Sequence, residues 1–146
     1  MPPEVRPARR EEAAAVAAAY DWLFAAPGVM PSEWDAGRAA TALARLMGGD
    51  RHEVLVADDL SGFCTVYLDI ASVRFGQRAW IEDLAVDPAH RSAGIGKALL
   101  DTARAWARER GATHLELDSA DTRTDAHRFY EREQPAWRSR SFGYLL

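Results

Sequence analysis

The chain has 146 residues, the length of one domain with room for a buried core, and a formal net charge of −4. That charge disfavours nonspecific nucleic-acid binding, which rests on neutralising phosphates, and mildly favours a cationic small partner. No apolar run is long enough to cross a bilayer, the start Met1-Pro-Pro-Glu-Val-Arg6 lacks the pattern of a signal peptide, and the single Cys64 has no internal partner, so a cytoplasmic protein is expected.

In chain order, Glu4–Pro7 reads as a short edge strand. Arg9 to about Ala25 reads as a helix, with Val16, Tyr20, Leu23 and Phe24 on one face, and Pro27-Gly28 opens a loop. Ser32 is the expected N-cap of a second helix, with Asp35 three residues on as a shortened capping box. Ala39, Leu43, Leu46 and Met47 form that helix's apolar stripe, and Gly48-Gly49 stop it. Three strands follow, Glu53–Asp58, Phe63–Val73 and Ala79–Val86, with turns at Asp59–Gly62 and Phe75–Arg78, so an antiparallel meander is expected.

A helix then runs to about Arg110, with Leu99, Leu100, Ala103, Trp106 and Ala107 at helical spacing. Thr113–Asp118 is the next strand. The strand–helix–strand crossover makes it parallel to the strand before the helix. Asp125 to about Glu133 reads as a short helix capped by Thr124. Trp137–Leu146, rich in aromatic and apolar residues, is expected to close the sheet with one or two strands. The sum is one domain over residues 1–146 with a mixed α/β (α+β) fold: a mostly antiparallel sheet of six to seven strands flanked by about four helices.

The most informative stretch is Ile81–Leu100. It is a strand, a break at Asp87-Pro88, and a glycine-bearing helix start. Such a helix start carries unpaired N–H groups and a positive dipole end, which suit a phosphate, and glycines let a ligand approach the backbone. A P-loop would need glycine where Arg91 stands and Ser or Thr where Ala98 stands. A dinucleotide fingerprint would need a small residue where Leu99 stands and an acidic ribose ligand after the next strand, and it fails too. The pattern Arg91-x-x-Gly94-x-Gly96, after a strand ending Leu84-Ala-Val-Asp-Pro88, resembles the acyl-CoA-binding motif of the GNAT superfamily of N-acetyltransferases. The order of elements is similar to the GNAT fold along nearly the whole chain.

The resemblance implies transfer of an acetyl group from acetyl-CoA to a primary amine of a small molecule, in a direct ternary complex. It also implies a bulge, beyond Glu82 and Asp83, that splays the strand before the loop away from the parallel strand after its helix, and the backbone of Leu84, Ala85 and Val86 is implied to pair with the pantetheine arm in that gap. Arg91, Ser92, Ala93, Gly94, Ile95, Gly96 and Lys97 are implied to surround the pyrophosphate. Ala126-x-x-Phe129-Tyr130-Glu131 matches the family's A-x-x-F-Y-E pattern, which makes Tyr130 the general acid at the CoA sulfur and leaves Phe129 to packing. Gln134-Pro135 stands where the family usually has Gly-Phe.

Glu82 is the first choice for the base and Asp83 for amine binding or structure, because neighbouring strand residues face opposite sides. Burial beside an apolar strand is expected to raise a carboxyl toward neutrality. Glu116 and Asp118 are second candidates, as is Ser119, and Glu116 also joins Trp22, Trp34 and Asp83 as an expected substrate-binding residue. The loop Ala25–Ser32 with Trp22 and Trp34, and acids near it, forms the implied substrate wall. Tyr20, Asp21 and Glu33 lie near that loop.

The four histidines have no metal-ligand spacing and one cysteine completes no zinc site, so no metal is expected. A second function class remains, an inactive GNAT-fold acyl-CoA-binding sensor or scaffold. An aminoglycoside-like polycation or a protein N-terminus is the alternative acceptor. A homodimer follows only by analogy with relatives that pair through C-terminal strands. Neither nucleic acid nor a membrane is an expected partner.

Overall fold

The structure is a computed structural model that describes residues 1–146. One sheet of five strands runs through it in sequence order, β1 (Val5–Pro7), β2 (His52–Ala57), β3 (Gly62–Ser72), β4 (Gly76–Val86) and β5 (His114–Glu116). The first four are antiparallel neighbours, and β5 joins β4 in parallel after a helical crossover. The helices are α1 (Ala13–Ala19), α2 (Asp21–Phe24), α3 (Ala36–Leu46), α4 (Ile95–Glu109) and α5 (Thr124–Arg132).

Strand β2 is buried on both faces, which is why it reads as a continuous apolar run and not as an alternation. Leu55 and Ala57 meet α4, whose stripe Leu99, Leu100, Ala103, Trp106 and Ala107 packs over Cys64, Val66, Ala79 and Ile81. Val54 and Val56 meet the other layer, where Val16 and Ala17 of α1 and Leu43 of α3 cover Phe63 and Ala85. Each fully buried side chain of this size contributes about 1.5–3 kcal/mol relative to exposure. Cys64 is buried among apolar neighbours as a small hydrophobe.

The expected first helix is broken. A 3-10 turn at Arg10–Glu12 precedes α1, and α2 restarts after Tyr20. The cap of α3 is Asp35 and not Ser32: its carboxylate accepts from the Arg38 amide at 2.8 Å, so the helix starts three residues later than the sequence suggests. Thr124 opens α5 from inside and Arg123 occupies the N-cap without a side-chain cap bond.

The sheet has five strands where six or seven were expected. Residues 133–146 form no strand, and Trp137, Phe142, Tyr144, Leu145 and Leu146 are exposed. Gln134 stands at φ 56°, Pro135 follows it, and Arg138 pairs with Glu131, so the tail starts along α5 and not along the sheet. β5, at three residues, offers only a short edge to join.

One irregularity in the sheet governs the site. Thr65 pairs with Asp83 and Val66 with Ile81, so Glu82 is an extra residue in β4, a β-bulge. Before it, Ala79 and Ile81 face α4. After it, Leu84 and Val86 face α4, while Ala85 faces the α1–α3 layer. The bulge therefore exchanges the faces of β4 halfway along its length.

Candidate active site

The loop between β4 and α4 is built on Asp87. Its amide donates to the Ser61 carbonyl at 2.8 Å, its carbonyl accepts from the His90 amide at 2.8 Å, and its carboxylate accepts from the Ala89 amide at 2.9 Å. The chain then turns through Ser92 at φ 66° and Gly94 at φ 80°, both left-handed, and enters α4. The left-handed state costs a residue with a Cβ roughly 1–2 kcal/mol, which Gly94 escapes and Ser92 does not.

The first helical hydrogen bond runs from the Ala98 amide to the Gly94 carbonyl at 3.0 Å, and no amide from 91 to 97 donates to a protein acceptor. Seven adjacent donors without partners, at the positive end of a fifteen-residue helix, are suited to an anion. Arg91, Ser92, Ala93 and Gly94 are exposed, whereas the Ile95 side chain is in the core and leaves only its amide to the loop. A Cβ on Gly96 would sit 3.4 Å from the Phe129 ring, so α5 closes over this helix start. The Lys97 ammonium is paired with Asp101 at 2.6 Å and Glu133 at 3.6 Å.

Beside the loop a cleft opens. The β4–β5 ladder stops at Trp80 opposite Glu116, while β4 continues to Val86. Because the Asp87 amide bonds to Ser61, the alternation of an antiparallel ladder turns the backbone groups of Ala85 toward β3 and those of Leu84 and Val86 toward the missing β5 partner. Leu84 and Val86 thus expose strand backbone at the cleft, and Ala85 contributes packing instead.

The cleft leads into a pocket of about 370 Å³. One wall is Tyr20, Phe24 and Trp34, with ring centroids 5.2 Å apart for Tyr20–Trp34 and 4.7 Å for Phe24–Trp34. The floor is Ile81, Glu82, Asp83 and Leu84 across the bulge. The far wall is Leu117–Ala120 with Arg123, Ala126 and Tyr130. Arg123 ties the two walls together by donating to the Leu23 carbonyl at 2.8 Å.

The bulge brings both Glu82 and Asp83 to this pocket, against the expectation that adjacent residues oppose each other. Glu82 is exposed and accepts from the Trp80 indole at 2.7 Å. Asp83 is held inside: its Oδ2 accepts from the Tyr20 hydroxyl at 2.6 Å and from the Thr65 hydroxyl at 3.2 Å. Burial pushes the Asp83 carboxyl above its ordinary value, the Tyr20 hydrogen bond pulls it down, and the neighbouring Glu82 charge pushes it up. Burial also raises the Tyr20 phenol, and the Asp83 charge adds to it.

Tyr130 lines the pocket while Phe129, beside it on α5, packs against the α4 core. Burial pushes the Tyr130 pKa up to about 12, Cys64 acts the same way, and Arg123 opposes them. Asp118 and Ser119 line the pocket.

Two expected substrate residues stand apart from it. Trp22 is not among the residues that line the pocket and packs into the α1–α3 layer, 6.4 Å from the Phe63 ring centroid. Glu116 lies within 3.3 Å of His114 and 3.9 Å of Arg78, on the paired part of β5 below the cleft. Phe24 and Arg123 were not singled out as site residues. The spacing of Phe24 from Tyr20 placed both on one helical face and was the signal available for it; nothing local marks Arg123.

The description "Acetyltransferase (GNAT) family" fits residues 16–134, most of the chain. The chain belongs to the GNAT family. Over 59 residues it is 48% identical to the uncharacterized N-acetyltransferase YhdJ of Bacillus subtilis (strain 168), a stretch covering 40% of this chain and 42% of that one. Over 74 residues it is 42% identical to the streptothricin acetyltransferase of Streptomyces lavendulae, covering 51% of this chain and 37% of that one. The chain thus spans less than half the length of these curated relatives. The aminoglycoside N-acetyltransferase AAC(6′)-Iy in complex with CoA superposes with a TM-score of 0.79 at 15% identity, covering 98% of this chain and 93% of that one, which is a likeness of fold. In this GNAT protein no group of three or more His, Cys, Asp or Glu side chains is placed to hold a metal ion, and no helix is long and apolar enough to cross a membrane.

Proposed function

We propose that this GNAT protein transfers an acetyl group from acetyl-CoA to a primary amine of a small molecule, both bound at once. The observation that carries the proposal is the run of unpaired amides at 91–97 opening beside the free edge of Leu84 and Val86. Those amides suit a diphosphate, and the strand edge suits an extended amide-bearing arm, which would add to it as a strand does. Acetyl-CoA supplies the activated acyl group as a thioester.

The remaining chemistry belongs to the pocket. As the C–N bond forms and the C–S bond breaks, the amine must lose a proton and the departing thiolate must gain one. Glu82 is the base: it lines the pocket and is open to water, to which it passes the proton. Tyr130 is the acid. Its pKa near 12 keeps the phenol protonated through neutral pH, ready to donate. The carboxylates Glu82, Asp83 and Asp118, set against the rings of Tyr20, Phe24 and Trp34, favour a cationic acceptor. The streptothricin acetyltransferase among the similar proteins, and the aminoglycoside acetyltransferase that shares the fold, are compatible with an acceptor of that kind.

The test is thiol release from acetyl-CoA against a panel of diamines, polyamines, aminoglycosides and amino acids. Turnover with at least one cationic amine is expected. Acetyl-CoA binding without turnover on any of them would favour a sensor or scaffold instead. Glu82→Gln is expected to lower kcat by about a hundredfold, the lower end of the range for general-base catalysis, with the KM for acetyl-CoA unchanged. A wild-type rate in that variant would place the base elsewhere.

A further inference from the structure

The geometry points to Tyr20 as a positioning residue that, with Thr65, fixes Asp83 as the anchor for the acceptor's ammonium group. This rests on the acetyl-transfer function proposed above and names the group that recognises the acceptor in it. Three observations meet here.

The first is the bulge. In a regular strand with Glu82 paired in the ladder, Asp83 would fall on the α4 face with Ile81 and be sealed in the apolar core. The second is the asymmetry of its hydrogen bonds. Both hydroxyls bind Oδ2, the Thr65 hydroxyl also accepts from the Asp83 amide at 3.1 Å, and Oδ1 accepts nothing from the protein. The carboxylate is clamped by one oxygen and offers the other.

The third is the absence of a cation. The titratable groups that interact with Asp83 are Tyr20 from the α1–α2 junction, Tyr67 and Cys64 from β3, and Glu82 beside it on β4. Across the pocket stand Asp118, Tyr130 and Arg123, and the arginine is engaged with the Leu23 carbonyl. A part-buried carboxylate with no cationic partner costs folding free energy, and a ligand ammonium completes the pair.

Tyr20 therefore does two things. It aims Oδ1 at the pocket, and its hydrogen bond favours the ionised form against the burial that opposes it. It also couples the aromatic wall to the catalytic strand, since the same ring stacks near Trp34.

The experiment compares the wild-type protein, Tyr20→Phe and Asp83→Asn. Tyr20→Phe keeps the ring and its packing, so the fold is retained. Expected for Tyr20→Phe is a KM for the amine raised about tenfold, the size of one hydrogen bond to a charged group, with the KM for acetyl-CoA unchanged. The acidic limb of kcat/KM for the amine moves to higher pH, because losing the Tyr20 hydrogen bond lets burial raise the Asp83 carboxyl further. Asp83→Asn raises the amine KM and abolishes the shift.

Carboxyl-carbon NMR of aspartate-labelled protein reads the same titration without turnover, with the resonance assigned through Asp83→Asn. A higher Asp83 midpoint in Tyr20→Phe than in wild type supports the inference. An unchanged midpoint, or an unchanged amine KM and pH limb, overturns it. Failure of wild-type protein to acetylate any amine counts against the proposed function alone, and the NMR midpoints then decide the role of Tyr20.

Discussion

Replacing Gly94 by valine is expected to lower the affinity for acetyl-CoA by about a hundredfold or more while the fold survives. Gly94 stands at φ 80° and its Cβ position is open apart from Pro2 atoms at 3.7 Å. The substitution therefore acts through the backbone. A β-branched residue is a steric outlier in the left-handed region, so the chain must relax out of it. The amides that follow then lose their common direction. Hydrogen bonds to a charged group are worth about 1.5–3 kcal/mol each, so misdirecting two of them gives the expected loss. The core under the loop is anchored by Ile95 and Leu99, which are 2% and 0% exposed, and it does not depend on the turn. Calorimetric titration together with far-UV circular dichroism checks this. Wild-type affinity in a folded Gly94→Val protein would mean that the loop does not hold the diphosphate.

Tyr130→Phe is expected to lower kcat by about a hundredfold or more, the range of general acid catalysis, with both KM values near wild type. The change removes one hydroxyl and keeps the ring that lines the pocket. Because burial holds the phenol pKa at about 12, the wild-type rate should show no alkaline limb from this residue below about pH 11, since the proton is lost only as the pH approaches that value. Steady-state kinetics of both proteins across the pH range tests the two statements together. A variant with wild-type kcat would show that the thiolate takes its proton from water or another group.

The sequence revealed the elements whose cause is local and concealed those whose cause is tertiary. The apolar run of β2, the stripe of α4 and the glycine-bearing loop before it are each written in adjacent residues. A bulge in β4 is implied by the family resemblance, but beyond Asp83; its place at Glu82 is not written locally, because an extra residue in a ladder is defined only by its partner strand. That single displacement explains why Glu82 and Asp83 reach the same pocket when strand alternation separates them.

The cleft was implied by family resemblance, but its limits come from where the β4–β5 ladder ends. For that reason Asp118 lies in the pocket and Glu116 two residues earlier does not. Trp22 flanks the substrate loop in sequence, whereas Tyr20 and Phe24, four residues apart on one face, make the wall with Trp34. The tail departs from the expected strands for a related reason. Aromatic and apolar residues from Trp137 onward have strand propensity, but propensity yields to the availability of a partner edge.

The most direct test follows amide resonances of labelled protein as coenzyme A is added. The largest saturable shifts should fall on residues 91–97, with smaller ones at Leu84 and Val86 along the open strand edge. Saturation with those amides unmoved, or no saturation at millimolar ligand, would contradict the assignment of this loop as the diphosphate site.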